Sequence, residues 1–281
     1  MSAPVTHSYP FAIGHGTEND FVLLPDHDGA IHGDLSPQRV AALCERRAGL
    51  GGDGVIRVIR TAALGFDQPA EWFMDYRNAD GSIAEMCGNG VRVFGRYLAD
   101  EGLVSTTEPV PVGTRDGVKV ITFDADGELT VDMGTPKILG DSVVGVDDQK
   151  WPALNVDMGN PHAVAFVDDL LDAGSLLSEP DYDRSVYPDG VNIEFVARRG
   201  PGHVAFRVHE RGSGETRSCG TGACAVLVAA ALDDGVVAPP DEPVRYEVDV
   251  PGGRLQLTWL PDGHVLLGGP AVIVGRGTTD L

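Results

Sequence analysis

An α+β fold of two pseudo-symmetric domains, each a β-sheet wrapped around a central α-helix, is predicted for this 281-residue chain. Three observations predict it. A cysteine motif occurs twice, as Met86-Cys87-Gly88-Asn89-Gly90 and as Ser218-Cys219-Gly220-Thr221-Gly222. Each copy runs into an apolar segment of helical period, and each helix is flanked by segments that alternate as β-strands do. Both halves also carry an Asp-Gly hairpin turn downstream of the helix, at Asp126-Gly127 and Asp262-Gly263. This is duplication of a whole domain pattern, not of a short solenoid unit. A helix apolar on most of its faces, as after Cys219, must be buried, and strands around it are the economical cover.

Taken in order, residues 11–13 and 21–24 read as strands on either side of a polar turn that contains Asn19. Ser36 before Pro37 is a cap and first-turn signal, predicting a helix from Ser36 to Arg47 that stops at Gly49. The glycine-rich segment 49–54 turns the chain into a strand at 55–59, and it lacks the full phosphate-loop pattern. Residues 71–77 suit a strand and Asn78-Ala79-Asp80-Gly81-Ser82 a turn; the first cysteine motif then opens a helix expected from about Gly90 to Asp100. Residues 118–123 and 129–133 form a hairpin pattern around the segment 124–127.

After Gly134-Thr135-Pro136 the pattern begins again. Residues 151–158 lead to Gly159-Asn160-Pro161-His162 and an apolar strand at 163–167, echoing the Asn19 turn. Strands are expected at 191–196 and 204–211, the second leading into the second cysteine motif, with a helix over 223–232. Hairpin strands at 245–250, 254–259 and 264–267 follow.

Composition narrows the function classes. With 42 acidic and 21 basic residues the net charge is −21, which repels nucleic acid and anionic membrane and favours small, zwitterionic or locally steered ligands, the surplus being mostly a solvated surface. No apolar run approaches the roughly 20 residues that span a bilayer, and Met1 to His7 lacks the basic start and apolar core of a signal peptide, so a cytoplasmic setting is expected. Four cysteines, Cys44, Cys87, Cys219 and Cys224, are then expected as thiols. Cys87 and Cys219 are the candidates for reactivity, and Cys44 and Cys224 suit small buried positions.

A cysteine at the start of a helix lies in the field of the helix's positive end and beside backbone N–H groups, which can lower a thiol pKa from about 8.5 toward neutrality. The same N–H groups can hold a carboxylate. Two such sites from two domains, meeting at a cleft, make a symmetric acid–base pair. With an α-amino acid held by its carboxylate, one cysteine as thiolate removes the α-proton while the other, as thiol, supplies one from the opposite face. The stereocentre inverts, and this chemistry demands neither a metal nor a cofactor, because the helix ends stabilise the developing charge. A single Cys-Gly-x-Gly turn is a weak signal; two copies at corresponding places are a strong one. Zinc binding would need ligand clustering of the Cys-x-x-Cys or His-x-x-x-His kind, which the sequence lacks.

The motifs resemble those of the diaminopimelate epimerase family, cofactor-independent enzymes that interconvert LL- and meso-diaminopimelate on the route to lysine and cell-wall peptide. The resemblance rests on residues 15–21, 78–82, 86–92, 159–162, 191–193 and 210–216 leading to Cys219-Gly220-Thr221-Gly222, in that order. It implies domains at 1–135 with 270–281 and at 136–269, the last strand returning to the first domain, and an active site in the interdomain cleft. Carried over by position, Cys87 and Cys219 are the proton-transferring pair, with His162 and Glu210 as polar catalytic neighbours. Gly88-Asn89 and Gly220-Thr221 are implied as the backbone cradle for the reacting carboxylate. Asn19, Asn78, Asn160, Asn192, Glu210 and Arg211 are implied to contact the substrate. The resemblance allows a homodimer, although Gly275 stands where some members carry a dimer-interface tyrosine. Gly54 stands where some carry a substrate-contacting glutamine. Proline and hydroxyproline racemases also use two cysteines, but carry histidine after the first Cys-Gly where this chain has Asn89. Phenazine-type isomerases share the architecture without the cysteine pair.

Overall fold

The computed structural model describes residues 8–125 and 127–281. The segment 1–7, read above for a leader, and Asp126 of the first Asp-Gly turn lie outside the described residues. In chain order the elements are β1 (Tyr9–Gly16), β2 (Asn19–Pro25), α1 (Pro37–Cys44), β3 (Gly54–Arg60), α2 (Thr61–Leu64), β4 (Trp72–Asn78), α3 (Gly88–Asp100), β5 (Val110–Thr114), β6 (Gly117–Phe123) and β7 (Leu129–Asp132). They continue with β8 (Lys137–Val146), β9 (Gln149–Asp157), β10 (Pro161–Phe166), β11 (Asp181–Tyr182), β12 (Asn192–Gly200), β13 (His203–Glu210), β14 (Gly214–Thr216), α4 (Gly220–Asp233), β15 (Val244–Val250), β16 (Gly253–Trp259), β17 (Val265–Gly269) and β18 (Val272–Thr279). Two compact units result: the described residues through Leu129 with Pro270–Leu281, and Thr130–Gly269.

In the first unit the sheet runs β18-β1-β2-β3-β4-β5-β6, with β2–β3 and β4–β5 parallel and the other pairs antiparallel. Helix α3 connects β4 to β5 and is contacted by β1, β2, β3, β4, β6 and β18. Its Val91, Val93, Phe94 and Leu98 are fully buried. Each such side chain contributes about 1.5–3 kcal/mol on leaving water, which is why an isolated helix of this length would not persist and a wrapped one does.

The second unit follows the same plan. Its strands run β8-β9-β10-β12-β13-β15-β16, with β10–β12 and β13–β15 parallel and the rest antiparallel. Helix α4 is contacted by β9, β10, β12, β15, β16 and β17. The sequence of pairing senses is identical in the two units, so β18 takes in the first the place that β8 takes in the second. The helix ends match as well. Leu103 N–H bonds the Leu98 carbonyl at 2.9 Å over Gly102 at φ 66°, and Val236 N–H bonds the Ala231 carbonyl at 3.0 Å over Gly235 at φ 86°. Both are left-handed glycine terminations.

Three local expectations change. Helix α1 starts as expected, with Ser36 Oγ accepting the Arg39 N–H, but ends at Cys44. There Glu45 turns extended and its carboxylate takes the N–H groups of Arg47 and Ala48, offering the backbone an alternative to another helical turn. Helices α3 and α4 begin directly after their cysteines, so the motif glycines belong to the first helical turn instead of a turn before it. Strands β5, β8, β11 and β14 carry too little alternation to be read from sequence. Among the described residues no helix is long and apolar enough to cross a membrane.

The β1–β2 hairpin matters for the site because it delivers Asn19. Gly16 pairs with Asn19, leaving a two-residue loop of Thr17 at φ 48° and Glu18 at φ 60°. Positive φ at both positions is the geometry that suits the strand twist, yet neither residue favours it. Because Glu18 is exposed, Glu18→Gly is expected to stabilise the protein by about 0.5–1 kcal/mol. The check is a higher urea midpoint at unchanged slope; an unchanged midpoint would show that the loop holds no strain.

Candidate active site

Cys87 and Cys219 are the N-cap residues of α3 and α4, with φ, ψ of −145°, 119° and −120°, 114°. Gly88, Asn89 and Gly90, and Gly220, Thr221 and Gly222, are then the first three helical residues. The first helix-closing bonds run from Val91 N–H to the Cys87 carbonyl at 2.8 Å and from Ala223 N–H to the Cys219 carbonyl at 2.9 Å. Helical geometry gives the preceding N–H groups no acceptor inside the helix, so each cysteine stands beside donors suited to an anion.

The two sulfurs use this position differently. Cys219 Sγ accepts the Gly222 N–H at 3.3 Å and lies 3.6 Å from Thr221 Oγ1, capping its own helix. Cys87 makes no cap bond; its thiol donates to Asn19 Oδ1 at 3.6 Å. Cys219 is buried and Cys87 half-buried. Burial, then the nearby Glu210 and Glu194 carboxylates, push the Cys219 thiol well above its ordinary pKa, against the opposing bonds from Thr221 and Gly222.

Strand register explains where the polar residues stand. In the first unit Phe21 pairs with Gly54 and Gly54 with Asn78. In the second His162 pairs with Asn192, and the β12–β13 register, with Ile193 opposite His209, brings Asn192 beside Glu210. Asn19 and Asn160 both lie two residues before the first member. The stations Asn19, Phe21, Gly54, Ile56 and Asn78 therefore correspond to Asn160, His162, Asn192, Glu194 and Glu210. Under the helix start the units diverge. A Cβ on Gly90 would lie 3.4 Å from Ile56 Cδ1 and 3.6 Å from Phe21 Cζ, whereas one on Gly222 would lie 2.6 Å from Glu194 Oε1. Only glycine leaves room for that carboxylate.

His162 is fully buried and spans Glu194 and Asn160, with Nδ1 2.7 Å from Glu194 Oε1 and Nε2 3.0 Å from Asn160 Oδ1. The carboxylate makes Nδ1 a donor, and Nε2 shares its bond with the Asn160 amide. Asn192 donates to the Pro161 carbonyl at 3.0 Å and accepts the Arg211 N–H at 3.0 Å, tying β10 to the end of β13. Glu210 Oε1 accepts Thr216 Oγ1–H at 2.5 Å. Arg211 is exposed, with Nη1 3.2 Å from the Asp189 carbonyl. Asn78 donates to Ser82 Oγ at 3.0 Å. Gly54 has no room for any side chain, since a Cβ there would lie 2.5 Å from both the Arg77 carbonyl and Tyr76 Cε2. A contact made by a side chain at this station is thus excluded.

Within the first unit, Asn19, Asn89 and Cys87 come together; within the second, Asn160, His162, Glu210, Thr221 and Cys219 surround the helix start. Sequence reasoning missed Glu194 and Asp53. Glu194 had a readable signal, as a lone carboxylate in an apolar strand on the same face as Asn192. Asp53 sits in a glycine-rich turn, and only the fold brings it 2.7 Å from Asn19 Nδ2. Partial burial raises the Asp53 carboxyl above the ordinary value, opposed by the Asn19 bond and by Arg46, while the Asp20 carboxylate adds to the rise.

The architecture, two units each with a sheet around one helix, is shared with solved structures of low sequence identity. A phenazine biosynthesis protein of Bacillus anthracis superposes with a TM-score of 0.71 at 17% identity, covering 97% of this chain and 99% of that one. A hydroxyproline epimerase of Agrobacterium vitis superposes at 0.67 with 15% identity, covering 99% and 94%. Sequence similarity carries the assignment further. The diaminopimelate epimerase family model matches residues 11–139 and 154–274. Diaminopimelate epimerases of Streptomyces coelicolor and Rhodococcus jostii are 58% and 50% identical, each over 96% of this chain and 95% and 96% of the relative. The chain belongs to the diaminopimelate epimerase family and is an isomerase.

The Glu194 carboxylate beside Cys219 gives a test of the site's electrostatics. Removing a neighbouring negative charge favours the thiolate, so Glu194→Gln is expected to lower the Cys219 thiol pKa. Titration of ¹³Cβ-labelled cysteine by NMR reads it, and an unmoved or raised Cys219 titration would contradict the geometry.

Proposed function

We propose that the chain interconverts LL- and meso-diaminopimelate by two-base proton transfer at one α-carbon, without pyridoxal phosphate. One observation carries the reading: each duplicated unit places a cysteine at the N-cap of its central helix, beside backbone N–H groups that suit a carboxylate. The family relatives supply the substrate, since proteins up to 58% identical over nearly the whole chain bear the name diaminopimelate epimerase.

In the proposed reaction the substrate's reacting carboxylate accepts N–H groups of the first helical turns, Gly88-Asn89 and Gly220-Thr221. One sulfur, as thiolate, takes the α-proton; the other, as thiol, delivers its proton to the opposite face. The bond to the old hydrogen breaks as the new one forms, electrons return to the same carbon, and the sulfurs exchange protonation states. In the opposite direction the roles reverse. Carbanion character at the α-carbon spreads onto the carboxylate, where the helix N–H groups and the helix field meet it. The Cys219 thiol, raised by burial and its carboxylate neighbours, suits the donor role in the ligand-free enzyme.

Glu210 and His162 serve the Cys219 side as polar neighbours that tune and relay its proton. Asn19, Asn78, Asn160, Asn192 and Arg211 are assigned to substrate recognition, where amides receive ammonium and carboxylate groups without adding charge and Arg211 offers a bidentate grip. Asn192 contributes through the segment it ties together. A reducing, cytoplasmic setting suits catalytic thiols, and the net charge of −21 disfavours a nucleic-acid partner.

Cys87→Ala and Cys219→Ala are each expected to lose epimerisation by at least about a hundredfold, the range of a lost general acid or base. In D₂O the wild type should place solvent deuterium on the α-carbon of LL-diaminopimelate. Full activity in either alanine variant would end the two-thiol mechanism; exchange with proline but not with diaminopimelate would overturn the substrate.

A further inference from the structure

The direction of every hydrogen bond around Asn19 is fixed by a charge at each end of a short chain of amides. At one end the buried Arg92 guanidinium, which can only donate, gives its Nη2–H to Asn89 Oδ1 at 2.8 Å. Asn89 must then present its Nδ2–H onward, and does so to Asn19 Oδ1 at 3.2 Å. At the other end the Asp53 carboxylate, which can only accept, takes Asn19 Nδ2–H at 2.7 Å through Oδ2. Asp53 is itself held in place, since Arg46 Nη2 lies 2.7 Å from its Oδ1 and also forks with Nη1 onto Asp20 at 2.8 Å. The charged groups that reach this chain are Arg92 from α3, Asp20 from β2, Arg46 after α1 and Asp53 before β3.

Asn19 therefore has one allowed orientation. Turning its amide over would set an oxygen against the Asp53 carboxylate and an N–H₂ against the Asn89 N–H₂. With the orientation fixed, it is the carbonyl oxygen that faces Cys87, 3.6 Å from Sγ. A carbonyl oxygen can hold a sulfur only as S–H; a thiolate there would face a partial negative charge. The corresponding station in the second unit lacks this arrangement, because Asn160 is engaged by His162 and Cys219 takes its bond from Gly222.

We propose that Asp53 and Arg92 are positioning residues that lock the Asn19 carboxamide with its oxygen on Cys87, and so hold that sulfur as the thiol. Asp53 and Arg92 act through the Asn19 and Asn89 amides. When Cys87 acts as base, its S–H···O bond must be given up first, so the lock sets a cost on the base role that a protonated Cys219 leaves to Cys87. The helix field favours the thiolate and the locked oxygen opposes it, which leaves the sulfur poised between the two states. The consequence for turnover rests on the two-thiol reading above; the lock itself does not.

The test is iodoacetamide labelling of Cys87 across pH, resolved by peptide mass spectrometry, in wild type, Asp53→Asn, Asn19→Ala and the double variant. Asparagine at 53 can meet either face of the Asn19 amide, so one of the two restraints on its orientation is removed while the Asn89 bond remains. The Cys87 labelling midpoint is expected to fall by about one pH unit in Asp53→Asn. Loss of the Asp53 charge alone would also lower it, and the double variant separates the two: with Asn19 gone, Asp53→Asn should lower the midpoint by clearly less than it does in the wild-type background. Asp53→Ser should reproduce the shift should the asparagine variant fold poorly. An unshifted midpoint in both Asp53 variants, or an equal shift with and without Asn19, overturns the proposal. Labelling does not depend on turnover, so a failed lock is distinguishable from a failed two-thiol mechanism, which full activity of Cys87→Ala would reveal.

Discussion

A helix wrapped on nearly every side by strands still has N–H groups in its first turn that no helical carbonyl can reach, and both halves of this protein are arranged around that constraint. Solvent would ordinarily meet such groups. Here the helix starts are buried or half-buried, with Gly88, Asn89, Gly90, Gly220 and Gly222 all inside. The glycines at the third helical position let other atoms approach closely: Phe21 and Ile56 in one unit, the Glu194 carboxylate in the other. What remains is a concentrated donor surface with a thiol at its rim. An anion is its natural complement, and a carboxylate whose charge grows during reaction is the anion that gains most from it.

Duplication supplies two of these surfaces, and divergence makes them unequal. The stations under the helix start are apolar in the first unit and a His162–Glu194 pair in the second. The first sulfur finds an acceptor in Asn19, the second a donor in Gly222. Burial, and then neighbouring carboxylates, hold the Cys219 proton on, while a fixed amide dipole holds the Cys87 proton. The proposed reaction at one carbon thus draws on two chemically distinct thiols. The asymmetry also shows how a duplicated scaffold can change chemistry without changing topology: a swap at two or three register positions suffices.

Much of the fold was legible because its signals are local. Gly102 and Gly235 end the helices, Asp-Gly turns close the later hairpins, and the second helix is apolar on all sides, which announces burial. The Gly263 turn repeats the bonding of the Gly127 turn, with Leu260 N–H to the His264 carbonyl at 2.8 Å and Asp124 N–H to the Glu128 carbonyl at 2.9 Å. What escaped reading had weak or contrary signals. Strand β8 is largely exposed along its first half and shows no alternation there, and helix α1 stops early because Glu45 captures its own backbone. The two central helices start two and three residues earlier than their sequences suggest, since glycine is usually punctuation and here fills the first helical turn.

The site divides in the same way. Residue types and order, with Cys87 and Cys219 in matching contexts and asparagines at matching turns, determined the family and the kind of chemistry, because the backbone of a helix start does the same thing wherever it occurs. Tertiary structure alone decided which way each amide faces, which sulfur accepts and which donates, and that Asp53, Arg92 and Glu194 matter at all. Those outcomes depend on side chains 34, 3 and 25 positions from the groups they orient, Asp53 to Asn19, Arg92 to Asn89 and Glu194 to Cys219, counted along the sequence. Only strand register and helix packing set those distances in space, and hydrogen-bond direction follows from them: a carboxylate accepts, a guanidinium donates, and the amides between have no choice left.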